Sequence, residues 1–183
     1  AKHFALVDDL GMDNVKIPSH EVYNTELLEQ AAARFGHVFV STGAAHWDEV
    51  KKIPAAMGDA EFTLMQCTSA YPVEQLDINL PRINALRDLS HNVGYSGHFF
   101  GIEDAVLALS YGVSVIEKHF TIDKSLPGRD NKFALDADEF TQLAKFRDAS
   151  AAMNTDRGRE MLECELPIYN NYRGRWSAAE ERE

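Results

Sequence analysis

Short β-rich runs alternate with stretches of helical period along most of the chain. Apolar, β-branched segments stand at 14–17 ("NVKI"), 37–42 ("HVFVST"), 62–68 ("FTLMQCT"), 92–96 ("NVGYS") and 113–120 ("VSVIEKHF"). Amphipathic helical stretches are predicted over 23–35, 46–57, 79–90, 101–111 and 136–153. "DADEF" at the start of the last places acids where the helix dipole favours them. Strand, helix, strand at this spacing means parallel strands joined by right-handed crossovers, hence an α/β fold. Residue 1 already reads as helix, so further chain is expected before it. Beyond 154 the period disappears, and "TDRGREMLECELPIYNNYRGRW" reads as an extended, irregular tail over 154–183 that ends in a solvated "SAAEERE".

The polar residues gather at one end of each unit. Lys16 and Ser19 close the first strand, Ser41 and Thr42 the second, Thr68 and Ser69 the third, Ser96 and His98 the fourth, and His119 the fifth. Ligand sites of parallel α/β folds lie at the carboxyl ends of the strands. Each residue has a plainer reading: Ser and Thr before a turn cap helices, and a strand-end lysine snorkels. The strand period of two puts Ser96 with His98 on one face, and Val115, Glu117 and His119 on one face of the next strand. On neighbouring strands both imidazoles would reach one Mn²⁺, Mg²⁺ or Zn²⁺ ion. The alternative is a pair of hydrogen-bonded rim groups, and spacing alone does not decide. His3, His20, His37, His46 and His91 show no such pairing.

Composition narrows the classes. The chain has 183 residues, 45% hydrophobic and 26% charged, as expected for one globular domain or part of one. A net charge of −11 excludes a general binder of nucleic acid or anionic membrane, so any anionic ligand must be held by a local cluster. Cys67 and Cys164 are far apart without CxxC spacing, which fits a reduced, cytoplasmic protein; Cys67 reads as core. The apolar stretch "AVLALSYGVSVI" is too short to span a bilayer, and the N-terminus has no signal-peptide core.

Six motifs in register, "KIPSHEVYN", "VSTGAA", "CTSAYP", "VGYSGHFFGI", "IEKHFT" and "LPGRDNKFALDADEF", resemble the second half of the catalytic barrel of the sialic acid synthase family, from about residue 4 to 153. The resemblance implies a (β/α)₈ TIM barrel represented by its last five units, 1–153, and an enzyme that condenses phosphoenolpyruvate with a 2-acetamido sugar aldehyde. Lys16, Ser19, Ser41, Ser69 and Ser96 match groups that hold the phosphate of phosphoenolpyruvate; a lysine charge with several hydroxyl donors suits a dianion. His98 and His119 match metal-binding histidines, for Mn²⁺ or Mg²⁺, where an ion would polarise the aldehyde oxygen. Glu21 matches an acid placed to take a proton when water adds, and is expected to be catalytic together with Lys16. Tyr71 and Asp130 match sugar-contacting positions.

Three positions depart from the family pattern. Gly97 stands where Asp is more usual before the histidine, Ser69 where Asn is frequent, and His20 where a small Gly is usual. The resemblance implies that upstream strands carry further catalytic groups, so the chain alone is expected to be inactive, and it allows a homodimer. Two other readings compete with it. One is an open doubly wound sheet, although no GxGxxG or GxxxxGK[ST] loop occurs; the other is a non-catalytic barrel fragment that binds a phosphorylated ligand.

Overall fold

A computed structural model describes residues 4–176. The order of elements is α1 (Phe4–Asp9), β1 (Asn14–Ile17), α2 (Thr25–Ala32), β2 (His37–Ser41), α3 (Trp47–Val50), α4 (Ile53–Met57), β3 (Phe62–Cys67), α5 (Arg82–Arg87), β4 (Val93–Gly97), α6 (Glu103–Ser110), β5 (Val115–Lys118), α7 (Ala137–Met153) and α8 (Leu166–Tyr172). The strands form one parallel sheet in the order β1-β2-β3-β4-β5. All five expected strands are present, each within three residues of its expected ends. The helical reading of the first residues holds for Phe4–Asp9; residues 1–3 lie outside the described residues.

Alternation along each strand divides the sheet into two faces. Ile17, Val38, Val40, Leu64, Val93 and Tyr95 belong to one buried cluster with Leu28, Val50, Ile53, Ile83, Leu86 and Ala108 of the helices. The other parity, Lys16, Ser41, Cys67, Ser96 and Glu117, lines a cavity instead. The sheet is strongly curled towards that second face. Neighbouring strands stand about 4.8 Å apart, so four flat steps span about 19 Å. An extended lysine and glutamate together bridge only about 11 Å from Cα to terminal atom, yet Lys16 Nζ of β1 reaches Glu117 Oε2 of β5 at 2.7 Å.

The helices differ from expectation where local chemistry interrupts them. The single helix expected over 46–57 is two, α3 and α4, because Pro54 lacks an N–H and its ring excludes the preceding turn; it sits instead in the first turn of α4. Asn24 caps α2, its Oδ1 accepting from Leu27 N at 3.1 Å. Asp136, just before α7, and Glu139, in its first turn, form a reciprocal cap. Asp136 Oδ1 accepts from Glu139 N, and Glu139 Oε2 accepts from Asp136 N, both at 2.9 Å.

The chain divides into two compact units, 1–150 and 151–183. The segment read as an irregular extended tail carries a 3-10 turn, Glu163–Glu165, followed by α8. Pro167 in the first turn of α8 is compatible with a helix start, which a search for a long helical period overlooks. The terminal "SAAEERE" lies outside the described residues. Both cysteines are free, Cys67 buried and Cys164 exposed. Among the described residues no helix is long and apolar enough to cross a membrane.

Candidate active site at the strand ends

The carboxyl ends of the strands surround a cavity of about 340 Å³. β1 and its exit supply Lys16, Ser19 and His20, β2 supplies Ser41, and β3 and its exit supply Cys67, Ser69 and Tyr71. Ser96 and His98 come from β4 and its exit, Glu117 and His119 from β5 and its exit. Eight of the ten residues expected from the sequence to form the site therefore line one space: Lys16, Ser19, Ser41, Ser69, Tyr71, Ser96, His98 and His119.

Two expected residues stand apart from the lining. The Glu21 carboxylate accepts from Asn24 Nδ2 at 3.1 Å, which turns it towards the residue that caps α2. Asp130 lies in the loop between β5 and α7, with Oδ1 buried and without a hydrogen-bond partner.

The hydroxyls converge because the backbone behind them is glycine. A Cβ on Gly43 would stand 2.5 Å from Ser69 Oγ and 3.0 Å from Ser19 Oγ, so only glycine lets the β2 exit approach both. In its place, Gly43 N donates to Ser19 Oγ at 3.1 Å. Ser19 Oγ in turn donates to Cys67 Sγ at 3.5 Å. Cys67, read as core from the sequence, is buried but forms part of the cavity wall. Ser41 Oγ is buried with no partner at all. Buried hydroxyls are almost always bonded, so an orphan facing a cavity marks a place where a ligand acceptor or donor belongs.

Lys16 and Glu117 form the charged centre. Burial alone would raise the Glu117 carboxyl, but the Lys16 ammonium and the Ser96 hydroxyl outweigh it and hold the group below the usual carboxylate range. Glu117 was visible in the sequence on the His119 face of the strand, yet it was not among the expected site residues; two-residue spacing from His119 is the signal that finds it. Register confirms the placement, since Ser96 pairs with Glu117 and Cys67 with Ser96.

The imidazoles of His98 and His119 stand with ring centroids 5.3 Å apart, and the Tyr71 ring lies over His98 at 4.1 Å. Phe133 closes the group at 5.2 Å from His119. His98 Nδ1 is 3.2 Å from the Thr68 carbonyl, a contact that fixes the proton on Nδ1 and leaves the Nε2 lone pair available. Burial pushes the His98 pKa down and favours the neutral, ligating form. An imidazole whose nitrogen lies about 2.1 Å from an ion has its centroid about 3.2 Å away, so two such rings at a tetrahedral angle are about 5 Å apart. The pair fits a divalent ion in this respect. Among the described residues no third His, Cys, Asp or Glu joins them in a metal-binding group, so water or substrate oxygen would complete the shell.

Gly97 and His20, two of the three departures from the family pattern, also have a physical reading. A Cβ at Gly97 would meet Asp104 Oδ2 at 2.4 Å, so the space behind it is already taken by a buried carboxylate from α6. His20 is exposed and contributes to the cavity wall.

Known proteins resemble this chain in sequence and fold. The NeuB family matches residues 1–158. The chain belongs to the NeuB family. It is 36% identical over 168 residues to the N,N'-diacetyllegionaminic acid synthase of Legionella pneumophila, covering 87% of this chain and 47% of that protein. It is 37% identical over 143 residues to a pseudaminic acid synthase of Campylobacter jejuni, covering 75% of this chain and 42% of the other. The crystal structure of an N-acetylneuraminic acid (sialic acid) synthetase from Leptospira borgpetersenii, in complex with citrate, superposes with a TM-score of 0.85 at 28% identity, over 93% of this chain and 61% of that one. This NeuB chain spans about half the length of the curated relatives it matches. Its relatives are synthases of sialic, legionaminic and pseudaminic acids.

Proposed function

We propose that the chain is the phosphoenolpyruvate- and ion-binding part of a nonulosonic acid synthase, and that the whole protein condenses phosphoenolpyruvate, a 2-acetamido sugar aldehyde and water with release of phosphate. The observation that carries this reading is the unpartnered, buried Ser41 hydroxyl in the wall that also bears Lys16, Ser19, Ser69 and Ser96. A phosphate dianion would supply Ser41 with its acceptor and compete with Glu117 for the Lys16 ammonium. In a protein of net charge −11, such a dianion needs this local cluster.

A divalent ion held by His98 and His119 would supply Lewis-acid polarisation of the aldehyde oxygen. Tyr71, over the His98 ring, and Asp130, with its free buried Oδ1, are the groups proposed to orient the sugar. The methylene carbon of phosphoenolpyruvate forms a bond to the aldehyde carbon, whose oxygen takes up a proton; water adds at the phosphate-bearing carbon and loses a proton, and the C–O bond to phosphate breaks to leave a ketone. Proton removal from that water falls to Glu21, after its carboxylate leaves Asn24, or to Glu117, which already lines the cavity. The proposed setting is cytoplasmic and the assembly a homodimer.

The test is phosphate release by the whole protein. Release is expected only when phosphoenolpyruvate, a 2-acetamido sugar and Mn²⁺ or Mg²⁺ are all present. Lys16→Ala is expected chiefly to raise the phosphoenolpyruvate KM, whereas His119→Ala is expected to abolish turnover. Release that survives both a chelator and His119→Ala would overturn the reading, and phosphoenolpyruvate binding without turnover would leave a binding module.

A further inference from the structure

Behind the site, on the opposite face of β5 from Glu117 and His119, lies a second ionic group. The Lys118 and Asp104 side chains are 1% and 0% exposed, so this pair is sealed from water. Lys118 Nζ donates to both Asp104 carboxylate oxygens at 3.0 Å and to the Phe99 carbonyl at 2.9 Å. Tyr95 Oη donates to Asp104 Oδ2 at 2.8 Å. Gly97 pairs in register with Lys118, and a Cβ there would fall 2.4 Å from Asp104 Oδ2 and 2.6 Å from Tyr95 Cε1.

The connections define what the cluster can do. One ammonium ties three backbones together: β5 between Glu117 and His119, the first turn of α6 through Asp104, and the residue that follows His98 through the Phe99 carbonyl. A sealed ion pair is a poor source of net stability, because desolvation offsets most of the attraction. What it supplies here is direction, since the Lys118 ammonium is held by three acceptors and Asp104 Oδ2 is also fixed by the Tyr95 hydroxyl.

We infer that Tyr95, Asp104 and Lys118, with Gly97 as the slot that admits the carboxylate, are positioning residues that set the separation and tilt of the His98 and His119 rings. The inference rests on the reading of these histidines as the ion-binding pair. None of the four lines the cavity, so they act through the backbone that carries the histidines.

The test replaces the polar cluster with apolar side chains of similar volume in the full chain, Tyr95→Phe/Asp104→Leu/Lys118→Met, which removes the buried charges together and leaves none unpaired. The readouts are the thermal midpoint, the imidazole ¹⁵N and ring-proton signals of the metal-free chain with the His98–His119 ring contact, and Mn²⁺ affinity. The expected result is a folded variant with an unchanged or raised midpoint that has lost the ring contact and binds Mn²⁺ at least tenfold more weakly. A folded variant with wild-type ring contact and imidazole signals would overturn the inference. If the triple variant does not fold, Gly97→Ala decides instead, because its methyl displaces the Asp104 carboxylate: shifted His98 and His119 signals support the inference, and unshifted ones overturn it. Failure of the wild-type chain to bind Mn²⁺ would sink the ion reading, while the metal-free ring signals still decide the positioning role.

Discussion

Two lysine–carboxylate pairs lie on opposite faces of the same curled sheet. Lys16 and Glu117 meet at 2.7 Å on the cavity side, with side chains 30% and 46% exposed. Lys118 and Asp104 meet at 3.0 Å on the helix side, almost wholly buried. Distance would rank the first pair as stronger, but environment reverses the order. Water and salt screen the cavity pair, so it can release Lys16 to an incoming anion at little cost. The sealed pair has no substitute partner, and Tyr95 and the Phe99 carbonyl complete its hydrogen bonds. Two consecutive residues of one strand, Glu117 and Lys118, thus serve an exchangeable contact and a permanent one.

Removing one member of each pair should expose this difference most strongly. Asp104→Ala leaves the Lys118 ammonium buried without a counter-charge and should lower unfolding free energy by about 3–5 kcal/mol. Glu117→Ala should change it by less than about 1 kcal/mol. Urea unfolding followed by circular dichroism measures both, and equal losses would erase the distinction. Gly97→Ala is next in size. Its methyl has no room beside Asp104 and Tyr95, and it should cost about 1–3 kcal/mol by overpacking.

The sheet and most of the site were legible because both depend on short-range pattern. Strand alternation placed Ser96, His98, Glu117 and His119 on one face, and the structure groups them in one cavity wall. What sequence reading missed depends on contacts remote in the chain. The family resemblance implied a curved, barrel-like sheet, but Lys16 and Glu117 are 101 residues apart and no period announces that the curl joins these two side chains. Gly97 stood in the sequence only as a departure from the more usual Asp; the position of Asp104, brought back by α6, shows why no side chain fits. Cys67 is buried as its apolar strand suggests, but the strand gives no hint that its sulfur also meets the Ser19 hydroxyl at the cavity wall. Pro54 was a local signal for the break between α3 and α4, outweighed by the amphipathic pattern around it.

A smaller effect separates binding from stability inside the cavity. Ser41→Ala removes a buried hydroxyl that has no partner in the free chain, so it should stabilise the fold by up to about 1 kcal/mol. On the proposed function, the same change should weaken phosphoenolpyruvate binding, because the phosphate would lose one hydroxyl donor. Opposite signs in unfolding and in binding titrations are the expected outcome. A loss of stability would mean that Ser41 already has a structural partner.

The smallest expected effect is the titration of the exchangeable pair. The Glu117 carboxyl is held below its ordinary value of 4.5 in the folded chain, with Lys16 and Ser96 overcoming the opposing effect of burial. A depressed carboxyl binds its proton less readily folded than unfolded. Its contribution is therefore fully present above the ordinary carboxylate value and fades as pH falls through the lower folded value. With both side chains partly in water, the contribution should be a few tenths of a kcal/mol after screening. Unfolding free energies of the wild type and Glu117→Gln should differ by a constant amount between about pH 8 and pH 5 and converge only as the pH falls through the lowered folded value. Roughly 1 M salt should shrink the difference at every pH. On the proposed function, saturating phosphoenolpyruvate should also remove it at neutral pH, since the phosphate would then hold Lys16. A difference that persists with ligand bound would show that Lys16 stays with Glu117 and that the phosphate is held by the hydroxyls alone.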